Sequence, residues 1–180
     1  MKNSLHSSFQ IKFTLLVTVI VWGLLIWQHF NGGVPNHYIL HRSDLAAISN
    51  WWGAVLLPGL SWFLVGWIVR RESGSIRKVV VISFVGALLY GIGLSVSYSF
   101  GLESLASLMG PALLILALLL PIYRPEYYLG FVLGMSYTFG AVLPTVFALI
   151  VAVLSAAIYH LIRPIPFWLW GLARNGAGKG

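Results

Sequence analysis

The residues with the most chemical potential stand in one short polar interval. His37, His41 and Asp44 are spaced i, i+4 and i+7, so on a helix they share one face. Neutral imidazoles at that spacing, with a carboxylate one turn on, form a candidate site for a divalent metal, whose vacant orbitals accept nitrogen and oxygen lone pairs. The same three residues, joined by Glu103 from a later loop, are the candidate acid, base or ligand groups of an interfacial enzyme. A plainer reading competes: these are polar side chains at an aqueous surface, with Asp44 as the N-cap of the apolar run that follows. The pattern also lacks the glutamate of a zinc-protease HExxH motif.

Three further residues are candidates for ligand binding. Arg42 sits between His41 and Asp44, where a guanidinium can hold an anion or pair with Asp44 or Glu103. Asn50 precedes Trp51 and Trp52, where a helix-start hydrogen bond is the alternative to a ligand contact. His160 continues the spacing of Ala148, Ala152 and Ala156, so it can face a bundle interior as a proton relay or haem-iron ligand. It is also one turn from Arg163, which favours an ordinary place at the interface.

Other chemistries are excluded or unsupported. The chain has no cysteine, which rules out disulfides, Fe–S clusters and c-type haem attachment. No phosphate-binding loop is present, since Gly91-Ile92-Gly93 lies inside an apolar run. Ser43, His41 and Asp44 are sequence neighbours, whereas a catalytic triad is recognised by geometry.

The elements that must position these residues follow from composition. With 59% hydrophobic and 8% charged residues and a mean hydropathy of +0.89, the chain lies outside the soluble range and reads as an integral membrane protein whose first partner is the lipid bilayer. A net charge of +7 would suggest nucleic acid in a soluble protein. Here the cations occupy short gaps between apolar runs, where they act as topology signals, and a nucleic-acid partner is not expected.

Continuous apolar runs of helical length predict an all-α, polytopic bundle, while a β-barrel would need alternating segments. Four runs are plain, at 13–30, 51–69, 79–98 and 105–122. The first resembles a secretory signal but lacks small residues at a cleavage position, so it reads as a retained span. The stretch 127–162 would make a helix of about 54 Å, too long for one crossing. Pro144 divides it into 127–143 and 145–162, with a tight turn around 139–145. Six spans put Lys2, Lys12, Arg70, Arg71, Arg77, Lys78, Arg124, Arg163, Arg174 and Lys179 on one side and leave Arg42 alone on the other. By the positive-inside rule both termini are then cytoplasmic, in a bacterial-type inner membrane, and 31–50 is an outer loop. Residues 163–172 read as an inner interfacial segment and 173–180 as a flexible basic tail.

Three small-residue stripes supply helix-packing faces: Ser83, Ala87, Gly91 and Ser95; Gly130, Gly134 and Thr138; and Ala148, Ala152 and Ala156. They serve contacts within one chain, in a homo-oligomer or in a larger membrane complex. Pro58 and Pro111 can kink their helices or free a carbonyl for a ligand. The function expected from this set is non-enzymatic: binding or passing a small molecule or lipid, or acting as an accessory subunit. The alternative is the interfacial enzyme on a lipid-like substrate. No carboxylate lies mid-span, which argues against proton-coupled transport. A polar, membrane-deep cavity would favour transport, and a dry core would oppose it.

Overall fold

The computed structural model describes residues 2–38, 47–72 and 76–162. Six α-helices follow one another among them: α1 (Lys2–Phe30), α2 (Gly53–Glu72), α3 (Lys78–Ser99), α4 (Glu103–Leu119), α5 (Pro125–Phe139) and α6 (Val142–Ala157). A two-stranded antiparallel ribbon, β1 (Asn36–Tyr38) with β2 (Ala47–Ser49), leads through a 3-10 turn at Asn50–Trp52 into α2. Beyond α6 the helix widens into a π turn at Ile158–Ile162. Apart from the ribbon, the described chain is all-α.

Among the described residues, four segments are long and apolar enough to cross a membrane: Ser7–Phe30, Asn50–Glu72, Lys78–Ser99 and Val142–Leu161. Large apolar side chains cover the outside of the bundle; Leu16, Ile20, Phe63 and Val153 are each more than half exposed. Facing water, such surfaces would drive association, but facing hydrocarbon they are at rest, as expected of a membrane protein.

The core forms around α5. Eight of its 15 residues are buried, among them Leu129, Gly130, Val132 and Gly134. Its most extensive packing is against α3, through the small-residue stripes of both helices. A Cβ at Gly91 would lie 2.7 Å from the Phe131 carbonyl, and one at Gly130 or Gly134 would run into the Phe84 or Leu88 carbonyl. Only glycine lets the two backbones meet this closely, and the contact replaces a hydrophobic driving force that is absent in lipid. The stripes thus pair within one chain. Val65, Val69 and Leu129 extend the core toward α2, with Phe13 of α1 edge-on to Phe84 at 5.7 Å.

Pro58 lies inside α2 and removes the N–H that would bond the carbonyl of Ala54, four residues earlier. The Trp22 indole of α1 donates to that oxygen at 3.1 Å. The carbonyl expected to be free for a ligand is therefore satisfied by the protein itself.

Two expectations from the sequence need correction. The break between the fifth and sixth apolar runs is set by Gly140 rather than Pro144. Gly140 takes φ 71°, a conformation that L side chains rarely adopt, and ends α5 at Phe139. Pro144 sits in the first turn of α6, where backbone N–H groups have no helical partner, so proline there removes nothing. The helices accordingly run Pro125–Phe139 and Val142–Ala157 instead of 127–143 and 145–162. The second correction concerns His37, whose spacing with His41 and Asp44 presumes a helix; residues 39–46 lie outside the described residues. Gly32 and Gly33, at φ 110° and 95°, turn the chain out of α1 and into β1, and His37 pairs with Ile48 across the ribbon. Residues 163–172 and 173–180 lie outside the described residues.

Candidate functional site

Between α3, α4, α5 and α6 lies a cavity of about 500 Å³. Its back wall is made by the buried side chains of Leu113, Phe131 and Ala148, and its rim by the exposed Val79, Ile82 and Leu120, so it opens sideways through the bundle surface. The shape follows from how α4 meets α3. Near the start of α4 the two helices touch: the Tyr90 hydroxyl donates to the Met109 carbonyl, and a Cβ at Gly93 would be 3.6 Å from Met109 Cε. Farther along α4 and just past its end, Leu113, Leu116 and Leu120 line the space between it and α3. The gap is thus a wedge, closed where Tyr90 meets Met109 and lined at its other end by Leu120 and Ile122.

The lining offers few polar groups. Ser83, Tyr90, Tyr127 and Tyr128 contribute hydroxyls. Two of these are already used, Tyr90 on Met109 and Tyr128 on the Thr145 carbonyl at 2.8 Å. The Tyr127 hydroxyl makes no hydrogen bond among the described residues, and its backbone N–H donates to the Arg124 carbonyl at 3.1 Å at the end of the cavity away from Met109. Such a surface holds an apolar molecule by area and offers it the Ser83 and Tyr127 hydroxyls as its unspent polar groups.

Beside the end away from Met109 is a charge network that sequence reasoning missed. Glu126, in the first turn of α5, has a side chain only 2% exposed, and Arg71 Nη2 donates to both its oxygens at 3.0 Å. Arg71 also reaches Glu72 Oε1 at 3.3 Å, and Glu72 accepts from Arg77 at 2.6 and 2.9 Å. The Glu72 carboxylate is covered by its own arginines at the periphery of the bundle, while Glu126 is covered by the packed helices. Arg77, in the α2–α3 connection, has its pKa raised above the ordinary guanidinium value, first by the hydrogen bond to Glu72 and then by the attraction of that charge. The available signal was arithmetic. With four carboxylates among eleven cations, each acidic residue is a scarce partner, and Glu126 follows Pro125 at a helix start, where its charge also meets unpaired N–H groups.

The sequence-derived candidates are scattered. His37 is on β1, an extended strand, so the helical spacing that would align it with His41 and Asp44 does not hold from that residue; His41, Arg42 and Asp44 lie outside the described residues. Glu103 is exposed in the first turn of α4, with no ion pair among the described residues. Asn50 is buried, begins the 3-10 turn, and donates its backbone N–H to the Pro35 carbonyl at 3.1 Å. It borders a crevice of only about 10 Å³ against the α5–α6 turn, room for one water. Its role there is to seat the ribbon on the bundle. His160 is exposed and lies 5.2 Å from the Tyr123 ring, at the same end as Arg124. It faces the surface rather than the bundle interior. Among the described residues, no three His, Asp or Glu side chains gather into a metal-holding group.

No protein-family model, curated protein or solved structure matches this chain. The geometry therefore carries the functional reading alone.

Proposed function

We propose that this protein is a six-span, non-enzymatic membrane protein that binds a lipid chain or similarly apolar molecule in the lateral α3–α6 cavity. The observation that carries the reading is the cavity itself: large, laterally open, walled by Leu, Val, Ile, Phe and Ala, and with two of its four hydroxyls already spent on backbone carbonyls. A pathway for a polar solute would require unspent polar groups along its depth. The centre of the bundle is instead filled by the α3–α5 glycine seam.

The six-span arrangement draws support from α5. At 15 residues, about 22 Å, it is shorter than the roughly 30 Å of hydrocarbon. Its two ends nevertheless meet the two ends of α2. Glu126 is bound by Arg71, and Ala141, just past α5, would be 3.4 Å from a Cβ on Gly53. A short helix can serve as a crossing when its neighbours shield its ends from lipid. With six crossings, Lys12, Arg70, Arg71, Arg77, Lys78 and Arg124 share one side, and the positive-inside rule makes it the cytoplasmic side of a bacterial-type inner membrane, with both termini there.

The test is photolabelling of the full chain in bilayers with a diazirine-bearing fatty acid, mapped by mass spectrometry. Labels are expected on Leu116, Tyr127 and Val151 well above those on the lipid-facing Leu16 and Ile20. Gly86→Phe should reduce the cavity labels about five-fold or more, because a Cβ at Gly86 meets no atom within 4 Å and the ring can cover the mouth. Val151→Phe fills the space from the opposite wall as an independent check. Cavity labelling no stronger than that of Leu16 and Ile20, or unaffected by both substitutions, would sink the proposal.

A further inference from the structure

The cavity has a charged end as well as apolar walls, and that end names the class of lipid. We infer that the occupant is an anionic phospholipid, with an acyl chain in the wedge and its phosphate held at the wide end by Lys78, Arg124 and the Tyr127 hydroxyl. The inference rests on the chain-binding reading above and adds the headgroup.

Placement comes from the lining. Val79 is a rim residue and Lys78 immediately precedes it as the first residue of α3. Ile122 and Tyr127 both line the cavity, and Arg124 lies between them as the N-cap of α5. Both cations therefore adjoin lining residues at the end of the cavity away from the Met109 contact. Lys78 is exposed and Arg124 half-buried, and neither has an ion pair among the described residues.

Local charge balance favours an anion. The two carboxylates at this end, Glu72 and Glu126, are consumed by Arg77 and Arg71. What remains beside the opening is Lys78 and Arg124, with the His160 ring against Tyr123 close by. The internal pairs thus leave a cationic mouth, with an idle tyrosine hydroxyl inside it able to donate to a phosphate oxygen. An uncharged lipid would satisfy the walls and leave these groups unanswered, and a zwitterionic one would bring its own cation to a mouth that is already cationic. A soluble anion would satisfy the mouth and leave about 500 Å³ of apolar cavity unfilled.

The experiment is native mass spectrometry of the full chain with phosphatidylglycerol and phosphatidylcholine of identical acyl chains, supplied together at equal mole fraction. Phosphatidylglycerol is expected to dominate bound lipid by about ten-fold, the scale of two cations beside an anionic headgroup. Lys78→Gln with Arg124→Gln should bring that ratio close to one, because the loss of cations weakens the anionic headgroup more than the zwitterionic one. Gly86→Phe should remove both lipids. Equal occupancy by the two lipids in the parent, still lost in Gly86→Phe, would overturn the headgroup assignment and leave the chain-binding cavity standing. A phosphatidylglycerol preference that survives Gly86→Phe would overturn the inference by placing the lipid elsewhere on the bundle. Absence of any bound lipid sensitive to Gly86→Phe would overturn both readings.

Discussion

Toward α5, helix α3 presents Ala87, Gly91 and Ser95, and the two backbones touch; toward α4, it presents Val79, Ile82 and Gly86, and a cavity of about 500 Å³ lies between. Both faces carry glycine. The difference is in the partner, since α5 answers with Gly130 and Gly134 while α4 answers with Leu113, Leu116 and Leu120. A small residue draws helices together only when the opposite surface is also small, because in lipid the attraction is van der Waals contact and must be made along a continuous line. A small residue opposite leucines instead leaves space. The same residue type thus builds the most rigid seam of this protein and the entrance to its one large described cavity.

That comparison can be broken most forcefully at the seam. Gly134→Leu places a side chain against the Leu88 carbonyl and the Ile92 amide, and it should cost more than about 3 kcal/mol or prevent folding, read as loss of monodisperse protein and of the thermal transition in detergent. Stability close to the parent would mean that α3 and α5 are not in backbone contact. The next effect is at the charged end of the same seam. Arg71→Met strands the buried Glu126 carboxylate, at a cost of about 2–4 kcal/mol, moderated because Arg71 is 27% exposed. Adding Glu126→Leu should recover much of that loss in thermal unfolding, since the uncompensated charge is then gone; no recovery would assign the cost to lost arginine packing. The smallest effect is expected across the helix. Gly86→Leu should stay within about 1 kcal/mol of the parent, or stabilise it, since leucine is the better helix former and meets open space. A loss comparable to that of Gly134→Leu would erase the distinction between the two faces.

The broad class of fold was legible in the sequence because it depends on composition and period. Apolar runs of helical length and the small-residue stripes at four-residue spacing can be read from one strand of letters, and the two stripes on α3 and α5 do meet. Boundaries were less legible. Pro144 is the stronger breaker by residue type, yet Gly140 turns the chain, because proline is harmless in a helix's first turn and glycine tolerates the positive φ. The site was least legible. Histidines at helical spacing drew attention to 37–44, but β1 begins at Asn36 and carries His37 into an extended strand. Glu126 counts only among the carboxylates that do not lie mid-span. Nothing in its neighbourhood along the chain indicates that Arg71, 55 positions away, would cover it.

By itself, then, the sequence determined what each segment is. Hydropathy made the helices apolar, the cation distribution oriented the reading of their ends, and glycine spacing marked which faces could pack closely. Only the tertiary structure decided which face met which: that α5 lies at the centre, that Trp22 answers the carbonyl left free by Pro58, and that α4 splays from α3 to leave a cavity with a basic mouth. The physical reason is that membership of a helix is governed by local bonds and solvent preference, whereas a cavity exists only in the mismatch between surfaces far apart in the chain.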